Sequence, residues 1–260
     1  MSAIKPSIYS EMSIQGSDGR VADFRLGVAS IDIYEDIFCP SMSAKIQIVN
    51  AGGAIRDSQG DTVSLYEGLK IRSGEAVQIK IRSNSGNNED IDFVKDPLYV
   101  RGIKNLIRGS SEEFFTMSLV PREAMENEYS FLKKTYPKDA PISDHVDDII
   151  KTFFPKGKVG EIERTSNPMG FQGNQMKPYE ALLKLASKSV TGNAGDSTSG
   201  SSASAGFVFY QTRDGFQFRS LDSLCSQSPK ATYVQTEVNF SSVDFQPTPD
   251  LPSLDFKIIT

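Results

Sequence analysis

Between Pro178 and Leu224 the sequence joins a helix, a Ser/Gly spacer and an aromatic hairpin, an order that leaves little room for catalytic chemistry. Lys177-Pro178-Tyr179-Glu180 reads as a helix start, with Pro178 where a missing N–H costs nothing and Glu180 at the positive end of the dipole. Tyr179, Leu182, Leu183, Ala186 and Val190 then give one apolar stripe. From Thr191 to Gly206 nothing is bulkier than Asp or Asn, too little apolar surface to offset ordering entropy, so a mobile surface loop is expected over 191–206. Phe207 to Thr212 and Phe216 to Arg219 alternate strongly, and Arg213-Asp214-Gly215 supplies turn chemistry with a positive φ. A two-residue loop would place Phe207, Phe209, Phe216 and Phe218 on one face, which must be buried against the preceding helix or another subunit. Sequential elements usually pack together, which favours the helix.

The first part of the chain reads as mostly β. Ile8 to Gln15, Ala22 to Tyr34, Ala44 to Asn50, Glu75 to Arg82, Leu98 to Ile107 and Glu113 to Val120 carry alternation or β-branched enrichment between turn signals. Gly52 to Gln59 reads as a short helix or loop. Six strands in this length predict an antiparallel barrel or sandwich, in which closure would remove unpaired edges. Composition changes after Pro121. Charge and aromatics mix aperiodically from Arg122 to Tyr136, and then Ile142, Val146, Ile149, Ile150 and Phe153 share a helical face that Phe154-Pro155-Lys156-Gly157 ends. The fold class expected is therefore α+β, with a β-barrel or sandwich domain over 1–121. A smaller α+β domain with two helices and the hairpin follows over 122–224, and an extended segment over 225–260, where Ala231 to Phe245 and Leu254 to Thr260 flank a Pro-rich break.

Candidate chemistry is sparse. His145 is the only histidine, which excludes multi-histidine metal sites. It lies in Ser143-Asp144-His145-Val146-Asp147-Asp148, and is expected with Asp148 on the exposed face of a solvated helix start. Asp144, Asp147 and Asp148 lack the spacing and interior glycine of a calcium loop. No glycine-rich nucleotide cradle occurs. Glu123, Glu126 and Glu128 read as a solvated stretch. Arg101, Lys104 and Arg108, interleaved with Ile103, Leu106 and Ile107, read as basic gatekeepers on an exposed strand edge or as an inter-subunit contact. Cys39 and Cys225 form no metal or redox motif and are expected as buried free thiols. A net charge of −5 disfavours tight phosphate binding but suits a channel wall past which DNA slides. No apolar run approaches the roughly 20 residues of a membrane span, and the polar N-terminus lacks a secretion signal, so folding in a cytoplasm is expected. No catalytic, cofactor-binding or metal residues are predicted.

Asn174-Gln175-Met176-Lys177-Pro178-Tyr179-Glu180-Ala181-Leu182, Gly206-Phe207-Val208-Phe209-Tyr210 and the run from Asp214 to Leu224 together resemble the central hub protein of contractile-tailed phage baseplates. Weaker echoes lie in Ile33 to Phe38, Lys45 to Asn50 and Gly74 to Ile79. The resemblance implies a tube-like first barrel and a homotrimer in the virion. That trimer would join a spike protein to the tail tube or its initiator, contact the tape measure protein, and leave a passage that DNA crosses without specific binding. It further implies synthesis in the host cytoplasm, no membrane insertion and no enzymatic activity. In the hub family a second barrel begins where this sequence ends, which makes the chain a truncated product, a fragment or a shorter relative. A hub of a bacterial contractile injection apparatus fits the same pattern. A tail-borne cell-wall hydrolase working through carboxylates and a carbohydrate-binding module are the rival classes.

Overall fold

A computed structural model describes residues 8–51, 55–56, 62–63, 65–82, 90–109, 112–191 and 206–228. The expected mobile loop, apart from Thr191 and Gly206, lies outside these residues, as do most of Gly52–Gln59 and both C-terminal extended pieces. Alternation decides the first half. β1 (Ile8–Gln15), β2 (Val21–Asp23), β3 (Val28–Tyr34) and β4 (Ser43–Ala51) are followed by a small ladder of β5 (Ile55–Arg56) and β6 (Thr62–Val63) and by helix α1 (Leu65–Leu69). Then come β7 (Ala76–Arg82), β8 (Ile91–Asp92), β9 (Leu98–Arg108) and β10 (Glu112–Val120). The main sheet runs β2-β1-β7-β9-β10-β4-β3, with β8 beside β7, and the described pairs are antiparallel.

Register explains the core. In β4, Ile46 and Ile48 point inward opposite Met117 and Phe115 of β10, while Lys45 and Gln47 face out. Met12, Ile14, Val77, Ile79, Leu98 and Val100 complete the interior, and Leu65 and Leu69 of α1 join it. The fold is α+β and mostly antiparallel, as expected, but three details differ. Ala22–Tyr34 is not one strand: the Asp23 carboxylate accepts a hydrogen bond from the Arg25 backbone N–H at 3.0 Å, and the 3-10 turn Arg25–Gly27 diverts the chain before β3. Ile55–Arg56 is a strand, not helix or loop. The main sheet does not close by pairing β2 with β3 among the described residues, so edges persist where a barrel would remove them.

The second half has its own core. α2 (Arg122–Tyr129) starts directly after Pro121, and β11 (Thr135–Tyr136) leads to α3 (Ile142–Phe153) and β12 (Val159–Ile162). β13 (Phe171–Gln172) pairs with β11. Then come α4 (Pro178–Ala186), the hairpin β14 (Phe207–Thr212) and β15 (Gly215–Ser220), and α5 (Leu221–Ser226). This region therefore holds four helices where two were expected. α2 escapes periodicity because its buried residues are polar: Asn127 Oδ1 accepts from the Tyr179 backbone N–H at 2.9 Å, satisfying one of the free donors at the start of α4. α5 is fixed by Ser220, whose hydroxyl accepts from the Ser223 N–H at 3.1 Å.

The hairpin behaves as its alternation requires. A two-residue turn at Arg213-Asp214 pairs Thr212 with Gly215 and sets Phe209 opposite Phe218. The positive φ falls on Gly215 alone, at 122°, where a Cβ would meet the Lys158 carbonyl oxygen at 2.6 Å. Phe207, Phe209, Phe216 and Phe218 are buried together against α3 and α4, with Phe216 5.3 Å from Phe154 and Phe209 6.1 Å from Tyr179, centroid to centroid. The opposite face is covered too, since Val208 and Tyr210 pack with Leu224, Leu221 and Ile37. In α4 the buried stripe is Tyr179, Ala181, Leu182, Leu185 and Ala186, whereas Leu183 is exposed and Val190 lies beyond the helix. Thr191 is buried and bridges Thr165, so it belongs to the fold rather than to a surface loop.

Candidate assembly surface

The residues singled out for chemistry do not converge. His145 is 3% exposed rather than solvated. Its Nε2 lies 2.9 Å from the Met169 carbonyl oxygen and 3.2 Å from that of Pro137, so this nitrogen carries a hydrogen and donates. Tyr136 and Phe171 flank the ring, stacked on each other at 4.4 Å, and burial with Asp148 nearby pushes the Tyr136 phenol up to about 12. The reason is geometric: at the first turn of α3, His145 falls between Ile142 and Ile149 and faces the β11–β13 ladder. The three aspartates are dispersed into ion pairs, Asp144 with Arg164, Asp147 with Lys151 and Asp148 with Lys134. No cluster of potential metal ligands occurs among the described residues.

Glu123 is buried and Glu126 partly so. Glu123 is 8% exposed, and its Oε2 accepts from Gln211 Nε2 at 3.1 Å. Oε2 of Glu126 is buried with no hydrogen-bond partner, and burial, then the neighbouring Glu123, raises its pKa. Glu128 is exposed, as expected. Both cysteines are exposed, contrary to the expectation of buried thiols. Cys39 sits in the β3–β4 connection, where its backbone N–H bonds the Asp36 carbonyl, and Cys225 lies beside the inward-facing Leu224 of α5.

What the structure does bring together is the stretch β9-β10-β4-β3 at one end of the main sheet, with β3 at the sheet edge. β3 pairs with β4 and with no other described strand. β9 pairs with β10 from Tyr99 to Arg108 but with β7 only at Leu98 and Tyr99, and Gly74 and Glu75 hold Val100, so that among the described residues the part of β9 beyond Arg101 has no second strand beside it. The distal half of β9 carries Arg101, Lys104 and Arg108 and exposes Leu106 and Ile107, at 39% and 64%. Asn105, at φ 54°, marks an irregularity there. The β3 edge carries Asp32 and exposed Tyr34 and leads into Glu35 and Asp36. Arg108 is ion-paired with Glu113 and Glu35 with Arg213, so the exposed charges that distinguish the edges are Arg101 and Lys104 on β9 and Asp32 on β3. The intervening outward face is lined by Lys45, Gln47, Thr116, Ser118 and Gly102, with an apolar row of Val49, Phe114 and Ile107 in register at one end.

The fold has a counterpart among solved structures. The tail protein from Neisseria meningitidis MC58 superposes with a TM-score of 0.50 over 88% of this chain and 57% of its own, at 11% identity. Its fold is shared with a tail protein. The 43 kDa tail protein of prophage MuSo2 from Shewanella oneidensis also aligns, over 81% of this chain and 52% of its own, at 14% identity and a TM-score of 0.44. The chain spans about half the length of each. No protein-family model matches it, and no curated protein does.

Proposed function

We propose that this chain is a structural subunit of a phage tail and that it works at the baseplate hub. The observation that carries the reading is that, among the described residues, the main sheet leaves β3 and the distal part of β9 without a second neighbouring strand, with Asp32 on the one and Arg101 and Lys104 on the other. A sheet with two free, unlike edges adds copies of itself head to tail, and a heterologous contact of this kind closes into a ring when its rotation allows. In this account residues 1–121 form the tube-like domain whose sheets continue from subunit to subunit, and residues 122–224 form a domain that faces other components. The ring is a homotrimer seated in the virion tail, between a trimeric spike and the sixfold tail tube, and DNA passes through its centre. The fold shared with a tail protein of low sequence identity supports a structural role of this class, and the hub-like motifs around Pro178 and Phe207 support the position. The chain performs no catalysis in this role: His145 is built into a core and the acidic residues of α3 are ion-paired.

Negative-stain imaging of the purified chain tests the assignment. Closed rings with a central opening, which bind purified spike protein on one face only, are the expected result. Single particles that neither close nor bind a spike would refute the hub position, and peptidoglycan clearing by the purified chain would refute the structural role.

A further inference from the structure

The junction between the two cores contains a carboxylate that the assembly reading does not use. α2 leaves the sheet with only Pro121 between it and β10, so its first turn is wedged where both halves meet. Glu123 reaches Gln211 of the hairpin, and the Gln211 carbonyl accepts from the Ser41 hydroxyl of the β3–β4 connection at 3.3 Å. One continuous polar chain therefore ties sheet, helix and hairpin. Glu126 lies one turn further along the same helix face, with Oε2 buried and lacking a donor. The ionisable groups around it are Glu123 and Arg122 on α2, Lys156 after α3 and the buried Tyr179 of α4. A small cleft of about 60 Å³ at the same junction is lined in part by Glu123, Lys156, Gln211 and Phe93.

We propose that Glu126 is a proton-operated latch between the two halves of the chain: protonated, it lets α2 seat fully against the hairpin and the β3–β4 connection, and charged, it loosens that seat. In the charged form a buried oxygen has no donor and faces a second carboxylate three residues away, both unfavourable at low local dielectric. In the neutral form the like-charge repulsion with Glu123 and the cost of a buried charge are both removed. The direction of the linkage follows. Because the folded state raises the pKa of Glu126 above its ordinary 4.5, the folded chain binds this proton more tightly than the unfolded one. The latch contribution is therefore full below that ordinary value and is lost as pH rises through the raised folded value. A subunit whose halves are loosely joined above that value can adjust their relative placement as neighbours dock.

Thermal unfolding of the full chain between about pH 4 and pH 8, for wild type, Glu126→Gln and Glu128→Gln, tests this. Glu126→Gln mimics the neutral acid. It should raise the midpoint at about pH 8 by roughly 3 °C, with the difference shrinking towards zero only as pH falls to about 4, below the ordinary value. Hydrogen exchange at about pH 8 should slow in β14 and in residues 41–43 in the same variant. The exposed Glu128→Gln should do neither. A pH-independent offset for Glu126→Gln, no gain at all, or an equal gain from Glu128→Gln would overturn the latch. None of these outcomes bears on ring formation, so the two proposals fail separately.

Discussion

Gln211 Nε2 donates to Glu123 Oε2 across 3.1 Å between the hairpin and α2, and both residues are more than nine-tenths buried. The pair makes the second core continuous with the β3–β4 connection. Replacing Gln211 by Ala leaves a buried carboxylate oxygen without its donor, a loss of about 1–3 kcal/mol. Denaturant unfolding of Gln211→Ala, Ser41→Ala and the double variant should show coupling between the two positions; strictly additive losses would show that the chain of hydrogen bonds is not one unit.

Phe216 is the centre of the second core, fully buried and within 6.3 Å, centroid to centroid, of Phe154, Tyr179 and Phe209. Phe216→Ala should cost about 3–5 kcal/mol through lost burial and the cavity left behind. Phe38→Ala, at a side chain 73% exposed, should stay within about 0.5 kcal/mol in the same assay. Equal effects at the two positions would contradict the assigned packing.

His145 donates from Nε2 to backbone carbonyls inside the α3 contact with the β11–β13 ladder. His145→Ala should lower stability by about 1–3 kcal/mol, read by calorimetry, because Met169 and Pro137 lose their donor. Ring assembly by the folded fraction should be unchanged. Loss of a hydrolytic activity, rather than of stability, would assign this residue a chemical role.

Lys104 on the free half of β9 and Asp32 on the edge strand β3 represent the two complementary edges. Lys104→Glu or Asp32→Lys alone should weaken self-association about tenfold, roughly 1.4 kcal/mol, and the double reversal should recover most of it. Sedimentation equilibrium at low and high salt gives both numbers. Asp32 lies opposite Lys45 within its own sheet, so the melting point of each variant has to be matched first. Recovery in the double variant is the result that a general loss of stability cannot produce.

Strong local patterns were legible in the sequence. Ile8–Gln15 is read to the residue, and β4, β7, β9 and β10 to within one residue at each end, because alternation with a buried face fixes register. α3 is equally plain from its apolar spacing. Two of the misses, α2 and His145, share one physical cause, which is that tertiary hydrogen bonds overrode local pattern. α2 was hidden because Glu123 and Asn127 are buried by partners 88 and 52 residues away. His145 looked solvated because the carbonyls of Pro137 and Met169 come from loops that no helical period describes. The basic residues of β9 were legible as an edge, but their acidic counterpart on β3 was not, since edge position depends on sheet order. Strand count alone likewise does not say which strands meet, and among the described residues β2 and β3 do not pair.

Light scattering of the purified chain as a function of concentration tests the central claim most directly. A subunit that assembles through its own open edges should reach three times 28.5 kDa, about 86 kDa, and hold that mass on further concentration. A constant 28.5 kDa up to about 1 mM, where a contact of only roughly 4 kcal/mol would already be half formed, would contradict it.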